Sequence, residues 1–103
     1  MKIVRVTYTT KASYADQNKA NINTVMNELR AMNCPGLNYH VCLGADGQTF
    51  THTAFFDTDN DQNTLLELPA FRHFGEQLKA SGPEVPPKQE LLSLVGSSKD
   101  IFH

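Results

Sequence analysis

Apolar residues recur along this chain with two different periods, and each change of period marks a new element. From Lys2 to Thr10, Val4, Val6 and Tyr8 alternate with Ile3, Arg5, Thr7 and Thr9. A period of two in a segment rich in Val, Ile, Thr and Tyr predicts a strand. The period then lengthens. Ile22, Val25, Met26, Leu29 and Met32 follow at spacings of three and four, which is the stripe of an amphipathic helix of about 18 residues. Ser13, with Asp16 three places on, is its expected cap. Asn33-Cys34-Pro35-Gly36 is its expected stop.

A second strand places Leu37, Tyr39, Val41 and Leu43 opposite in sense to Asn38, His40 and Cys42. Gly44-Ala45-Asp46-Gly47 reads as a hairpin. Pairing across Asp46-Gly47 sets Leu43 against Phe50, Val41 against His52 and Tyr39 against Ala54, on a third strand from Gln48 to Phe56. A slip by one full pleat would leave those faces unchanged. Residues Asp57 to Asn63 are expected to form a polar loop. Leu65, Leu68, Phe71, Phe74 and Leu78 then predict a helix over Thr64 to Ala80, interrupted near Pro69. Ser81-Gly82-Pro83 closes it. Pro86-Pro87 argues against regular structure before a last strand over Gln89 to Gly96, with Leu91, Leu92, Leu94 and Val95 as its apolar content.

Strand, helix, strand, strand, helix, strand, joined by short connections, is the order of an α+β, ferredoxin-like βαββαβ sandwich. Two helices would cover one face of a four-stranded antiparallel sheet. One domain over residues 1–98 accounts for the pattern, with residues 99–103 as a C-terminal tail. That tail is expected either to be disordered or to exchange onto a neighbouring subunit through Ile101 and Phe102. The face turned from the helices would carry Arg5, Thr7, His40, Cys42, Thr51 and Thr53, together with Phe55. A solvated sheet face ordinarily holds more Lys and Glu. This mixture suits half-burial against a second sheet, so a homodimer closed into an α/β barrel is the expected assembly, with those six residues inside it. The alternative is a monomer with a solvated, threonine-rich face.

Composition narrows the class of partner. Nine Lys and Arg stand against 11 Asp and Glu, for a net charge of −2, with no basic block, which argues against nucleic acid. No apolar run reaches signal-peptide or membrane-spanning length, so no membrane contact and a cytoplasmic location are expected. Cys34 and Cys42 are expected as free thiols in such a compartment.

Candidate chemistry centres on His52. Its parity puts it on the helix-facing side between Phe50 and Ala54, with Tyr8 and Tyr39 turned the same way. A histidine there is either a satisfied core residue or a general base lining a pocket. His40 and Cys42 share a face, but His52 lies on the other, so no metal site is expected. Asp57-x-Asp59-x-Asp61 resembles the start of a calcium loop but has Gln62 and Leu68 where that loop needs Gly and Glu. Its acids suit a helix N-terminus instead. His73 and Arg72 lie off the apolar stripe and are expected on the surface.

Val4-Arg5-Val6-Thr7-Tyr8, Gly47-Gln48-Thr49-Phe50-Thr51-His52, Leu68-Pro69-Ala70-Phe71-Arg72-His73-Phe74 and Leu94-Val95-Gly96-Ser97-Ser98 resemble the dimeric α/β-barrel superfamily. Within it, the likeness is to antibiotic-biosynthesis-monooxygenase-like proteins, over Ile3 to Ser98. The resemblance implies the ferredoxin-like fold and a homodimer, and admits several activities. Haem degradation in that superfamily uses a tryptophan on the sheet and an asparagine on the first strand; this chain has no tryptophan and no such asparagine. What remains is a cofactor-free monooxygenase-type enzyme, or binder, for a small aromatic molecule. His52 would be the base, and Tyr8, Met26, Tyr39, Phe50, Phe71 and Phe74 would line the site. A non-catalytic, stress-associated binding dimer is the alternative.

Overall fold

The computed structural model describes residues 1–102; His103, the last residue of the tail, lies outside the described residues. The strands are β1 (Lys2–Thr9), β2 (Leu37–Leu43), β3 (Thr49–Phe56) and β4 (Val85–Leu92), and the α-helices are α1 (Ala15–Met32), α2 (Asp59–Glu67) and α3 (Pro69–Ser81). The sheet runs β2-β3-β1-β4 and every pairing is antiparallel. This is the expected ferredoxin-like order, with β1 and β3 inside and β2 and β4 at the edges.

The hairpin register is the expected one: Leu43 opposes Phe50, Val41 opposes His52 and Tyr39 opposes Ala54. The turn holds it there. Gly47 adopts φ 71°, and Asp46 Oδ1 accepts from the backbone N–H groups of Gln48 and Thr49 at 2.9 Å each. Along β3 the register buries Phe50, His52, Ala54 and Phe56 and leaves the residues between them half-exposed. The core forms between that face and the helices, from Tyr8, Val25, Leu29, Phe50, Leu65, Phe74 and Leu78 among others. Arg5, Thr7, Thr51 and Thr53 lie half-exposed on the opposite face, and His40 and Cys42 exposed beside them. Arg5 bonds Glu90 there at 2.9 Å. Ile3 is buried on this side, in register with Phe55 and Leu92.

Three boundaries differ from the expectation. Ser13 caps nothing: Ala12–Tyr14 form a short 3-10 turn, and α1 begins after it without a side-chain cap. The expected loop over Asp57–Asn63 is largely helix. Thr58 caps α2, its hydroxyl accepting from Asp61 N–H while the Asp61 carboxylate accepts from Thr58 N–H at 2.9 Å. This reciprocal pair satisfies two of the four donors a helix start leaves open. The interruption expected near Pro69 is present, and the helix beyond is a separate one, because Leu68 takes an extended ψ of 122° and Pro69 opens α3. Gly36 must lack a side chain here, since the Asp61 carboxyl occupies the space its Cβ would take.

The third difference is β4, which begins at Val85 and contains both Pro86 and Pro87. The register steps between Thr7–Lys88 and Thr9–Val85, so Tyr8 faces two residues, Pro86 and Pro87. An edge strand needs ladder donors on one side only, and a bulge relieves even those, which is where proline is tolerated. Leu94 and Val95, expected in this strand, lie beyond it and are exposed. Ile101 and Phe102 are half-buried and border a hollow formed by the end of α1 and the start of β2.

Thr58→Ala should destabilise the protein by about 1 kcal/mol through loss of the cap. The check is a lower urea midpoint at unchanged slope. An unchanged midpoint would mean that α2 is held by its packing alone.

Candidate functional site

β3 carries His52 inward from the middle of the sheet, where it is 5% exposed. Its two sequence-distant neighbours are phenols. Tyr8, from the far end of β1, places its hydroxyl 2.7 Å from Nε2. Tyr39, from β2, places its hydroxyl 2.5 Å from Nδ1. Asn18, one turn before Ile22 on the buried stripe of α1, donates from Nδ2 to the Tyr8 hydroxyl at 2.8 Å. Asn18 is fully buried, and its Oδ1 has no partner among the described residues. An orphaned acceptor of this kind costs about 1–3 kcal/mol, so the bond to Tyr8 is held against a penalty.

The donor and acceptor inventory limits the directions in which this chain can run. Tyr8 accepts from Asn18 and has one proton left to give. A neutral imidazole has one donor and one acceptor nitrogen. Two tautomers satisfy the ring: Tyr8 donates to Nε2 while Nδ1–H donates to Tyr39, whose own proton is left for whatever lies beyond it, or Tyr39 donates to Nδ1 while Nε2–H donates to Tyr8. Burial sets the charge state. It pulls the His52 imidazolium down to about 4 from an ordinary 6.5, and it pushes both the Tyr8 and the Tyr39 phenols upward. All three groups are neutral at pH 7.

Beyond Tyr39 and His52 lies a cavity of about 460 Å³. β1 supplies Val4 and Val6, and α2 supplies Gln62, Leu65 and Leu66. From α3 come Phe71, whose ring meets Tyr39 edge-on at 6.4 Å, and Phe74, 5.3 Å from His52. Gly75, Leu78 and Lys79 continue that wall, and Pro83, Pro86, Pro87 and Gln89 complete it on the β4 side. Apolar walls around a few convergent polar groups are the usual make-up of a small-molecule site.

Of the expected ligand-lining residues, Tyr8, Tyr39, Phe71 and Phe74 border this cavity. Phe50 does not: it is stacked against Tyr8 at 5.6 Å and stiffens the site from the core. Met26 does not either; it borders the separate hollow with Ile101 and Phe102, and Tyr39 touches both spaces. The sequence reading missed Asn18, Gly75 and Lys79. Asn18 had a signal, a polar residue in register with Ile22, Val25 and Leu29. Arg72 and His73 are exposed, and Cys34 and Cys42 are free thiols. Among the described residues no three His, Cys, Asp or Glu side chains gather, and no helix is long and apolar enough to cross a membrane.

A buried histidine held neutral makes stability depend on pH. Between about pH 4 and pH 6.5 the unfolded chain takes up a proton at His52 that the folded chain does not, so stability rises with pH through that window. The contribution is full above pH 6.5 and is lost as pH falls to about 4; it amounts to roughly 3 kcal/mol. His52→Gln should flatten this step in urea denaturation at a series of pH values. A step of equal height in the variant would assign it to other groups.

No family model and no curated protein sequence matches the chain. Solved structures do. Rv0793 from Mycobacterium tuberculosis superposes with a TM-score of 0.77 at 13% identity, over 95% of this chain and 98% of that one. A candidate antibiotic biosynthesis monooxygenase from Deinococcus radiodurans gives 0.74 at 20% identity, over 100% of both chains. A further one from Nitrosomonas europaea gives 0.75 at 17% identity, over 93% of this chain and 100% of that one. The chain has the ferredoxin-like fold of antibiotic-biosynthesis-monooxygenase-like proteins.

Proposed function

We propose that this protein binds a small aromatic molecule in the cavity between α2, α3 and the sheet, and oxidises it without a cofactor. The observation that carries the reading is the Tyr8–His52–Tyr39 chain set in the largely apolar wall of a cavity of about 460 Å³. A phenol lying against Phe71 and Phe74 would meet the Tyr39 hydroxyl with its own. Its proton would pass by way of Tyr39 to Nδ1, in the tautomer that carries the ring proton on Nε2, with His52 as the general base. The phenolate, more electron-rich than the phenol, would then react with dioxygen at the ring carbon para to its oxygen. One oxygen atom enters the ring, the other leaves as water, and the product is a quinone; the substrate itself supplies the electrons. The residues orient the ring and exclude water. The fold likeness to antibiotic biosynthesis monooxygenases supports this choice of reaction.

A second reading is a binding module with no reaction. It is favoured by the same histidine: both ring nitrogens are already bonded to tyrosines, and an imidazole with its conjugate acid near 4 is a weak base. In either case we propose a homodimer, closed over the face that bears Arg5, Thr7, His40, Cys42, Thr51 and Thr53. Half-burial of its threonines and a buried Arg5 Nε without a partner among the described residues support that.

The test uses 1-naphthol, whose para position is free. Binding should show by calorimetry, and Gly75→Leu should abolish it: a Cβ at Gly75 meets nothing within 4 Å, so the longer side chain grows into the cavity without a clash. Formation of 1,4-naphthoquinone with oxygen uptake would support the enzyme, and His52→Ala should slow it by about 100-fold or more. Binding without oxygen uptake would leave the module reading. Native mass spectrometry should give the mass of two chains; a single-chain mass would overturn the dimer.

A further inference from the structure

The cavity wall carries an asymmetric charge. Among the described residues no carboxylate borders it, and Lys79 is its one charged residue. Lys79 has no salt-bridge partner among the described residues. As the basic residue in the last turn of α3 it also suits the helix's open carbonyls, but its position over the cavity has a further consequence.

Phe71 and Phe74 locate the phenol–imidazole end of the cavity along α3, by their ring contacts with Tyr39 and His52. Lys79 lies five residues past Phe74 and eight past Phe71, about 7.5 and 12 Å further along the axis. Side chains on a helix lean toward its N-terminus, so a residue covers the turn before it. Four places before Lys79 is Gly75, which also borders the cavity and whose missing side chain leaves open space. A glycine inside a helix costs about 1 kcal/mol relative to alanine. Here it leaves open space on the turn that a side chain at position 79 covers, with the neutral hydrogen-bonding groups of Tyr39 and His52 at the opposite end.

Building on the cavity reading above, we infer that the occupant is an anionic aromatic molecule: a ring system lying over Gly75, with a hydroxyl at Tyr39 and a carboxylate at the other end paired with Lys79. The separation of the two polar ends suits a two- or three-ring skeleton better than a single ring. Lys79 is then the residue that decides between a neutral phenol and a hydroxy-aromatic acid.

The experiment compares 2-naphthol with 6-hydroxy-2-naphthoate, which adds a carboxylate at the far end of the same skeleton, by calorimetry on the intact protein. The acid should bind about tenfold more tightly, the ratio for one charge-assisted hydrogen bond at a part-solvated site. Molar salt should shrink that ratio. Lys79→Gln should bring the acid down to the affinity of the naphthol, and Lys79→Arg should restore most of the preference. Equal affinities in the unaltered protein, or a preference that survives Lys79→Gln, would overturn the inference while leaving the cavity reading standing. Failure of both probes to bind at millimolar concentration would overturn the two together.

Discussion

The site depends on one constraint, the pleat register of the β2–β3 hairpin. Side chains alternate between the two faces of a strand, so a slip of one residue would turn His52, Phe50 and Ala54 outward and Thr51 and Thr53 into the core. The turn prevents it, through Gly47 in a left-handed conformation and the Asp46 carboxylate tied to the next two backbone N–H groups. Once β3 is fixed, β1 and β2 bring Tyr8 and Tyr39 to the two ring nitrogens of one histidine. The hydrogen bonds that make His52 tolerable in the core are thereby the ones that orient it.

That polar chain has consequences beyond stability. A buried histidine with no partner would be an expense; one bonded on both nitrogens is a neutral link between two phenols. Asn18 starts the chain from α1 and Tyr39 ends it at the cavity, so α1 reaches the site through its bond to Tyr8. The cavity exists because α2 and α3 are separate helices. The extended backbone at Leu68 and the proline after it turn α3 so that Phe71 and Phe74 cover the polar residues, while Leu65 and Leu66 of α2 close the side. A single straight helix over Thr64–Ala80 would not supply two walls.

The two sheet faces divide the labour. The helix-facing side holds the core and the cavity. The other side holds Arg5–Glu90 and the threonines, half-exposed in one chain, and its mixture of polar and aromatic groups is what a second sheet would cover. β4, with its prolines and bulge, is an edge adapted against further strand addition. It borders the cavity instead.

Alternation and turn chemistry are local properties, and they sufficed to determine the six-element order, the antiparallel sheet, the hairpin register and the inward placing of His52, Tyr8 and Tyr39. Helix starts were less legible. The Thr58–Asp61 pair and the Ala12–Tyr14 turn depend on short polar contacts that other residues, such as Ser13 with Asp16, imitate equally well. Pro86-Pro87 argued against a strand because propensity does not know which strand will be an edge. Which ring faces the cavity and which lies behind it could not be read from periodicity either: Phe50, Phe71 and Phe74 are equivalent in a pattern, and only packing puts Phe50 against the back of Tyr8. The chemistry of the site was least visible of all. The bonding of both His52 nitrogens, the buried Asn18, the open face at Gly75 and the presence of Lys79 on the same cavity wall arise where four strands and three helices meet, and no single segment of the chain contains that meeting.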